Sequence, residues 1–174
     1  VDAPGPIDAA RRELATEIVV ATALHADGIH PNVLASSVWP RGVTDAVQAA
    51  AIGHVQTWLG VDEKGRARLA QRSDGRWVLS DDVRVDVRVA AALVRRAAGE
   101  TEVRDLAAAL SLVRGEAWSD LPATRYAWLA RGTVERDTRK IVVDGAKRLS
   151  ALAAASGDET LARDALRVGL RMVQ

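Results

Sequence analysis

The chain runs to 174 residues, 48% of them apolar and 27% charged, with a net charge of +1. Such proportions support a packed core in one large domain or two small ones, and near-neutrality removes any global field toward nucleic acid or an anionic membrane, so a basic patch has to be local. There is no cysteine, which excludes disulfides, thiol chemistry and cysteine zinc sites and fits a reducing cytoplasm.

Val1 to Pro6 read as a flexible leader. A first helix is predicted over Asp8–Ala26, with Leu14, Ile18, Ala21 and Leu24 on one stripe at spacings of three and four. Gly28 is the expected left-handed cap. Pro31 opens a short second helix carrying Val33, Leu34, Val38 and Trp39. Thr44 is the expected N-cap of a third helix ending at Leu59 and closed by Gly60. Its inward residues are expected to be Val47, Ala50, Ala51, Val55, Trp58 and Leu59, and its outward face Asp45, Gln48, Ala49, Ile52 and Gln56.

The pattern then changes. Arg68–Arg72 and Arg76–Ser80 flank Ser73-Asp-Gly75, and Asp-Gly between short apolar-containing runs predicts a β-hairpin. Three helices followed by a hairpin is the order of a winged helix-turn-helix, placed at residues 7–83. From Asp86 the chain returns to helices, predicted over Asp86–Ala98, Glu102–Val113, Thr124–Ala155 and Asp158–Val173. Arg114–Pro122 is read as an irregular connection with Trp118 plugging a gap. Residues 84–174 thus read as a helical domain of tetratricopeptide-like hairpins. The chain stops at Gln174 within a helical pattern, which is expected of a piece of a longer protein. No apolar run reaches transmembrane length, so this fragment is expected to make no membrane contact itself.

Two stretches carry a family resemblance. Leu24-His-Ala-Asp-Gly-Ile-His-Pro-Asn-Val-Leu-Ala-Ser-Ser-Val-Trp-Pro40, with Trp58-Leu-Gly60 and Gly75-Arg-Trp-Val-Leu-Ser80, resembles the winged helix of actinobacterial SARP-type regulators. Ala107–Leu121 followed by Arg125-Tyr-Ala-Trp128 resembles the start of their bacterial transcriptional activator domain, and more narrowly the intracellular part of actinobacterial LysM proteins that carry one. The resemblance spans nearly all of residues 15–174 and rests on structural Trp, Gly and Pro positions, which speak to fold more than to activity. It implies DNA binding through the third helix, a cytoplasmic location and a membrane-anchored parent.

The third helix departs from that pattern. Thr44 to Val61 holds no Lys or Arg, and it holds Asp45. Gln48 and Gln56 suit adenine edges, but they supply none of the phosphate neutralisation on which duplex affinity rests. The candidate cations lie elsewhere: Arg41 ahead of the helix, and Arg66, Arg68, Arg72 and Arg76 on the wing. These are read either as phosphate contacts or as solvated charges on an edge hairpin. Trp39, Trp58 and Trp77 are read as core. Trp118, Arg125, Tyr126 and Trp128 either lock a junction between hairpins or line a groove for a partner peptide, since Trp, Tyr and Arg dominate binding hot spots.

The residues do not assemble into a catalytic constellation. His25 and His30 read as cap or turn residues and His54 as a helix-surface residue. Asp81-Asp82 reads as a solvated turn, and Gly60–Gly65 as a loop that opens no helix. The mixed charges of Arg131–Arg148 read as a solvated helix face. The sequence therefore leads to a mainly α protein without enzymatic activity or cofactor, acting as a regulatory module through protein–protein contact. The alternative is a DNA-binding transcriptional regulator using the wing arginines and the third helix.

Overall fold

The computed structural model describes residues 3–115, 121–122 and 124–172, which are mainly helical with one two-stranded antiparallel sheet. They divide into two compact units. The first comprises residues up to Val83 together with Pro122–Trp128, and the second comprises Arg84–Leu121 and residues from Leu129 onward.

The first unit opens with α1 (Ala9–Ala23), capped by the Asp8 carboxylate, which accepts the Ala10 N–H. The preceding segment is not a free leader. Gly5 donates its N–H to the Trp58 carbonyl at 2.9 Å, and a Cβ on Gly5 would collide with backbone oxygens of Thr57 and Trp58. Ala3 and Ile7 pack on the same core. Helix α1 ends three residues earlier than its periodicity predicts. Gly28 takes φ 85°, but its role lies in the following turn, where Val78 packs so closely that a Cβ would not fit. That turn places Ile29 against Trp77, the two residues exchanging both backbone hydrogen bonds at 2.9 Å.

Helix α2 (Pro31–Val38) has Pro at its start and the His30 ring as its cap, accepting the Asn32 N–H. Helix α3 (Asp45–Leu59) begins on the Thr44 hydroxyl and ends at Gly60, φ 69°. Strands β1 (Leu69–Gln71) and β2 (Trp77–Leu79) pair with Leu69 opposite Leu79 and Gln71 opposite Trp77. Their connection turns through Arg72–Gly75, with Gly75 at φ 80°, the positive φ that a three-residue hairpin loop demands. The core beneath is formed by Ile18, Ile29, Leu34, Val55, Trp58 and Leu69, with Trp39, Trp77 and Trp128 packed around it.

The second unit holds α4 (Asp86–Arg96), α5 (Glu102–Ser111), α6 (Val134–Ala155) and α7 (Glu159–Leu170), in which α4 packs on α5, α5 on α6 and α6 on α7. A 3-10 turn, Gly99–Thr101, leads into α5. Its core is Leu106, Ala109, Leu110, Val142, Ala146 and Leu149, with Ala165 and Met172. Small residues set the spacing. A Cβ on Gly145 would stand 3.1 Å from Val94, and one on Gly169 only 2.9 Å from the Ala146 Cβ. Arg148 ties α6 back to α4 and α5, donating to the Val94 and Ala97 carbonyls and to Glu102.

The long helix expected from Thr124 begins only at Val134. Residues 129–131 form a 3-10 turn, and Pro122–Trp128 leave the helical unit for the first one. Tyr126 sits at φ 62°, a left-handed conformation incompatible with a continuing helix.

Candidate functional site

Three of the four residues expected to line a partner groove are engaged with α1 instead. Glu17 is 2% exposed. Its Oε1 accepts the Tyr126 backbone N–H at 2.8 Å and the Trp128 indole N–H at 3.1 Å, and its Oε2 accepts a guanidinium N–H of Arg125 at 3.0 Å. Arg125 also lies 3.8 Å from the exposed Glu13. The Trp128 indole N–H and one amino group of Arg125 are thereby turned toward a buried carboxylate, and the Tyr126 ring is buried. Burial pushes the Tyr126 hydroxyl up to about 12, and the nearby Glu17 charge adds to the shift. This constellation is a clasp holding Pro122–Trp128 on the first unit. The fourth expected residue, Trp118, lies outside the described residues.

Sequence reasoning missed Glu17. The signal was present, since Glu17 stands three residues after Leu14 and four before Ala21, within the apolar stripe. An acid on that stripe either interrupts the core or meets buried donors.

Of the candidate duplex contacts, the two glutamines are held internally. Gln48 donates its amide to the Pro31 carbonyl at 3.2 Å, and Gln56 donates to the Leu69 carbonyl at 3.0 Å. Both side chains face inward, joining α3 to α2 and to β1. Ile52, expected outside, is 3% exposed, whereas Val47 and Ala50, expected inside, are exposed. The outward face is therefore rotated from the expected one. It consists of Asp45, Ala46, Val47, Ala49, Ala50, His54 and Thr57.

On the hairpin, Arg66 pairs with Asp62 at 2.7 Å and Arg68 with Asp82 at 2.7 Å. Arg68 also donates to the Leu59 carbonyl. Arg72 and Arg76 donate to the carbonyls of Asp27 and Gly28, and both lie within 4 Å of Asp74, at 3.6 and 3.9 Å. The carboxyl of Asp62 is held below its ordinary range by the Arg66 backbone N–H and then by the Arg66 side chain. That of Asp82 is held down by the Ser80 hydroxyl and then by Arg68. Residues 61–83 balance five cations (Lys64, Arg66, Arg68, Arg72, Arg76) against five carboxylates (Asp62, Glu63, Asp74, Asp81, Asp82), while the side chains of Arg66, Arg72 and Arg76 remain exposed. Arg41 alone of the candidate cations is exposed just ahead of α3 without a hydrogen bond or ion pair among the described residues.

The accessible feature of this unit is a groove of about 220 Å³ between α1 and α3. Its floor is Leu14, Ala15 and Ala51, with the exposed Val47 and Ala50 alongside. Beside it the Arg11 guanidinium lies 3.2 Å from the His54 ring. The second unit has its own apolar cavity, of about 260 Å³, between Val87, Ala90, Leu112, Ile141 and Met172. No cluster of metal-ligating side chains occurs among the described residues, and none of their helices is long and apolar enough to cross a membrane. No family model, curated protein or solved structure matches the chain.

Proposed function

We propose that this chain is a regulatory module without enzymatic activity that works in the cytoplasm by binding other proteins, its first unit a winged helix-turn-helix adapted away from duplex DNA and its second a tetratricopeptide-like array. The order α1, α2, α3, hairpin, with Ile29 paired to β2 as a short third strand, supports the winged-helix reading. Successive packing of α4 on α5, α5 on α6 and α6 on α7 supports the second. Both agree with the SARP-type resemblance of the sequence.

The observation that carries the functional reading is the surface of α3. Its exposed face has no cation and begins with Asp45, while Val47 and Ala50 border an apolar groove. Such a face gains free energy by burying apolar area against a protein and gains nothing from releasing counterions from DNA. The alternative, a DNA-binding transcriptional regulator using the wing arginines and the third helix, draws on the exposed Arg66, Arg72 and Arg76 and on Arg41 ahead of α3.

Fluorescence anisotropy of the protein against a random pool of labelled duplex DNA, titrated with salt, separates the two. A protein-binding module gives no salt-dependent complex even at low ionic strength. Affinity in the micromolar range or tighter, falling steeply with log salt and lost on Arg72→Glu with Arg76→Glu, would assign the unit to DNA instead.

A further inference from the structure

Helix α1 carries two acids on one flank, Glu13 and Glu17, four residues apart and so neighbours on the helix surface. Glu17 is buried, the Glu13 side chain is 64% exposed, and Arg125 reaches both, at 3.0 and 3.8 Å. The segment that brings Arg125 there is attached by side chains alone. Among the described residues, Pro122–Trp128 form no backbone–backbone hydrogen bond with residues 3–83, and the bond from the Arg125 N–H to the Pro122 carbonyl stays within the segment. What holds it is the Glu17 carboxylate, which accepts from Arg125, Tyr126 and Trp128, together with the packing of Trp128 on the first core.

This strap can therefore lift away without breaking a main-chain bond of α1, α2, α3 or the hairpin. Its departure also frees Tyr126 from φ 62°, a conformation its Cβ disfavours. What it uncovers is an acidic pair whose inner member lies within the apolar stripe of α1, and a carboxylate in that setting demands donors.

We infer that this flank of α1 is a peptide-binding site, that Pro122–Trp128 is its internal ligand, and that an arginine- and tryptophan-bearing segment of a partner protein takes the strap's place. The strap itself shows the chemistry of the occupant: a guanidinium for the two acids, a free main-chain N–H on the next residue, and an indole N–H three residues after the arginine. Exposed Glu13, which Arg125 approaches only to 3.8 Å, offers an incoming guanidinium its first contact. The acidic pair rejects acidic segments. A second copy of this chain is a poor occupant, because each strap is tethered to its own site at an effective concentration on the order of millimolar. The site is distinct from the α3 groove, whose α1 residues Arg11 and Ala15 lie roughly 120–160° around the helix from Glu17 at about 100° per residue. Its test is thus independent of the duplex titration above.

That test is fluorescence anisotropy of a labelled peptide with the sequence Leu121–Leu129 against the whole chain. Arg125→Ala with Trp128→Ala removes the internal ligand's grip, and this emptied chain is expected to bind the peptide at least about tenfold tighter than wild type, where the strap competes. Adding Glu17→Gln is expected to cancel that gain, and a peptide with glutamate in place of its arginine is expected not to bind. Hydrogen exchange in the wild-type chain decides the matter even if the emptied chain unfolds. The Tyr126 amide is expected to exchange through a local opening that depends less on urea than exchange at Ile18 and Val19 of α1. The inference is overturned if the peptide does not bind an emptied chain that circular dichroism shows to be folded, or if Glu17→Gln leaves binding unchanged. It is also overturned if the Tyr126 amide exchanges only together with those of α1, or if sedimentation shows a wild-type dimer that Arg125→Ala with Trp128→Ala dissolves, which would make the occupant a second copy.

Discussion

Glu17 and Tyr126 stand 109 residues apart in the chain and 2.8 Å apart across a hydrogen bond from the Tyr126 backbone N–H to the Glu17 carboxylate. The same carboxylate accepts from Trp128 and pairs with Arg125. A carboxylate 2% exposed with three donors around it is fully committed to this clasp, and the left-handed Tyr126 backbone is tolerated because the surrounding bonds over-determine it.

Removing that carboxylate strands its donors. Glu17→Ala leaves the Arg125 charge and two N–H groups without their acceptor, and is expected to destabilise the first unit by about 3–5 kcal/mol. Glu17→Gln keeps an acceptor oxygen for the Tyr126 N–H and loses the charge, so it falls between wild type and Ala. Urea unfolding followed by tryptophan fluorescence measures both. An unchanged midpoint for Glu17→Ala would mean that the clasp contributes no stability.

Tyr126 is the chain's single tyrosine, so tyrosinate absorbance reports on it alone. Burial and the Glu17 charge raise its hydroxyl to about 12. A raised folded value means that the neutral form is favoured by folding. The stability linked to this group is complete below the ordinary value of 10.0 and is lost as pH rises toward 12. The folded protein is expected to titrate near 12, and the urea-unfolded chain near 10. A folded-state midpoint near 10 would show that the ring is solvated.

Acid acts on a different set of groups. Asp62, Asp82 and Asp105 all lie below the ordinary carboxyl value of 3.8, and Asp105 is lowered chiefly by its hydrogen bond from Arg96. Depressed values give stability that is present above the unfolded value and lost as pH falls through the folded one. Unfolding midpoints are therefore expected to hold from neutrality down to about pH 4 and to drop below it. Asp62→Asn retains an acceptor for the Lys64 and Arg66 N–H groups while removing the charge, so the drop should be shallower in that variant. An identical slope would remove Asp62 from the account.

The helices and the hairpin were largely legible because each rests on local chemistry. The Thr44 cap, Pro31 at a helix start, the Gly60 stop and the Asp74-Gly75 turn all do what their residue types favour. What escaped the sequence was decided by long-range partners. The expected outward face of α3 failed at Gln48 and Gln56 because polar side chains were assumed to face water, whereas each finds a backbone carbonyl in a neighbouring element. The expected helix from Thr124 failed because Glu17 gathers the Arg125 guanidinium, the Tyr126 N–H and the Trp128 indole, which fixes Tyr126 at φ 62°, outside the helical region. Helical pattern is local, and this capture comes from residues more than a hundred positions away.

Two glycines within helices test how tightly each surface is packed. A Cβ at Gly53, on α3, would meet nothing within 4 Å, and its φ is ordinary. Gly53→Ala is therefore expected to stabilise the first unit by about 0.5–1 kcal/mol through helix propensity alone. Gly169 has the same propensity to gain, but its new Cβ would lie 2.9 Å from the Ala146 Cβ. A methyl bonded directly to the α6 backbone has no rotamer by which to retreat, so α7 must move away from α6 or both helices must strain. Overpacking of this kind costs about 1–3 kcal/mol, which exceeds the propensity gain, and Gly169→Ala is expected to be net destabilising. Paired urea melts of the two variants decide the question. A stabilised Gly169→Ala protein would mean that α6 and α7 separate readily.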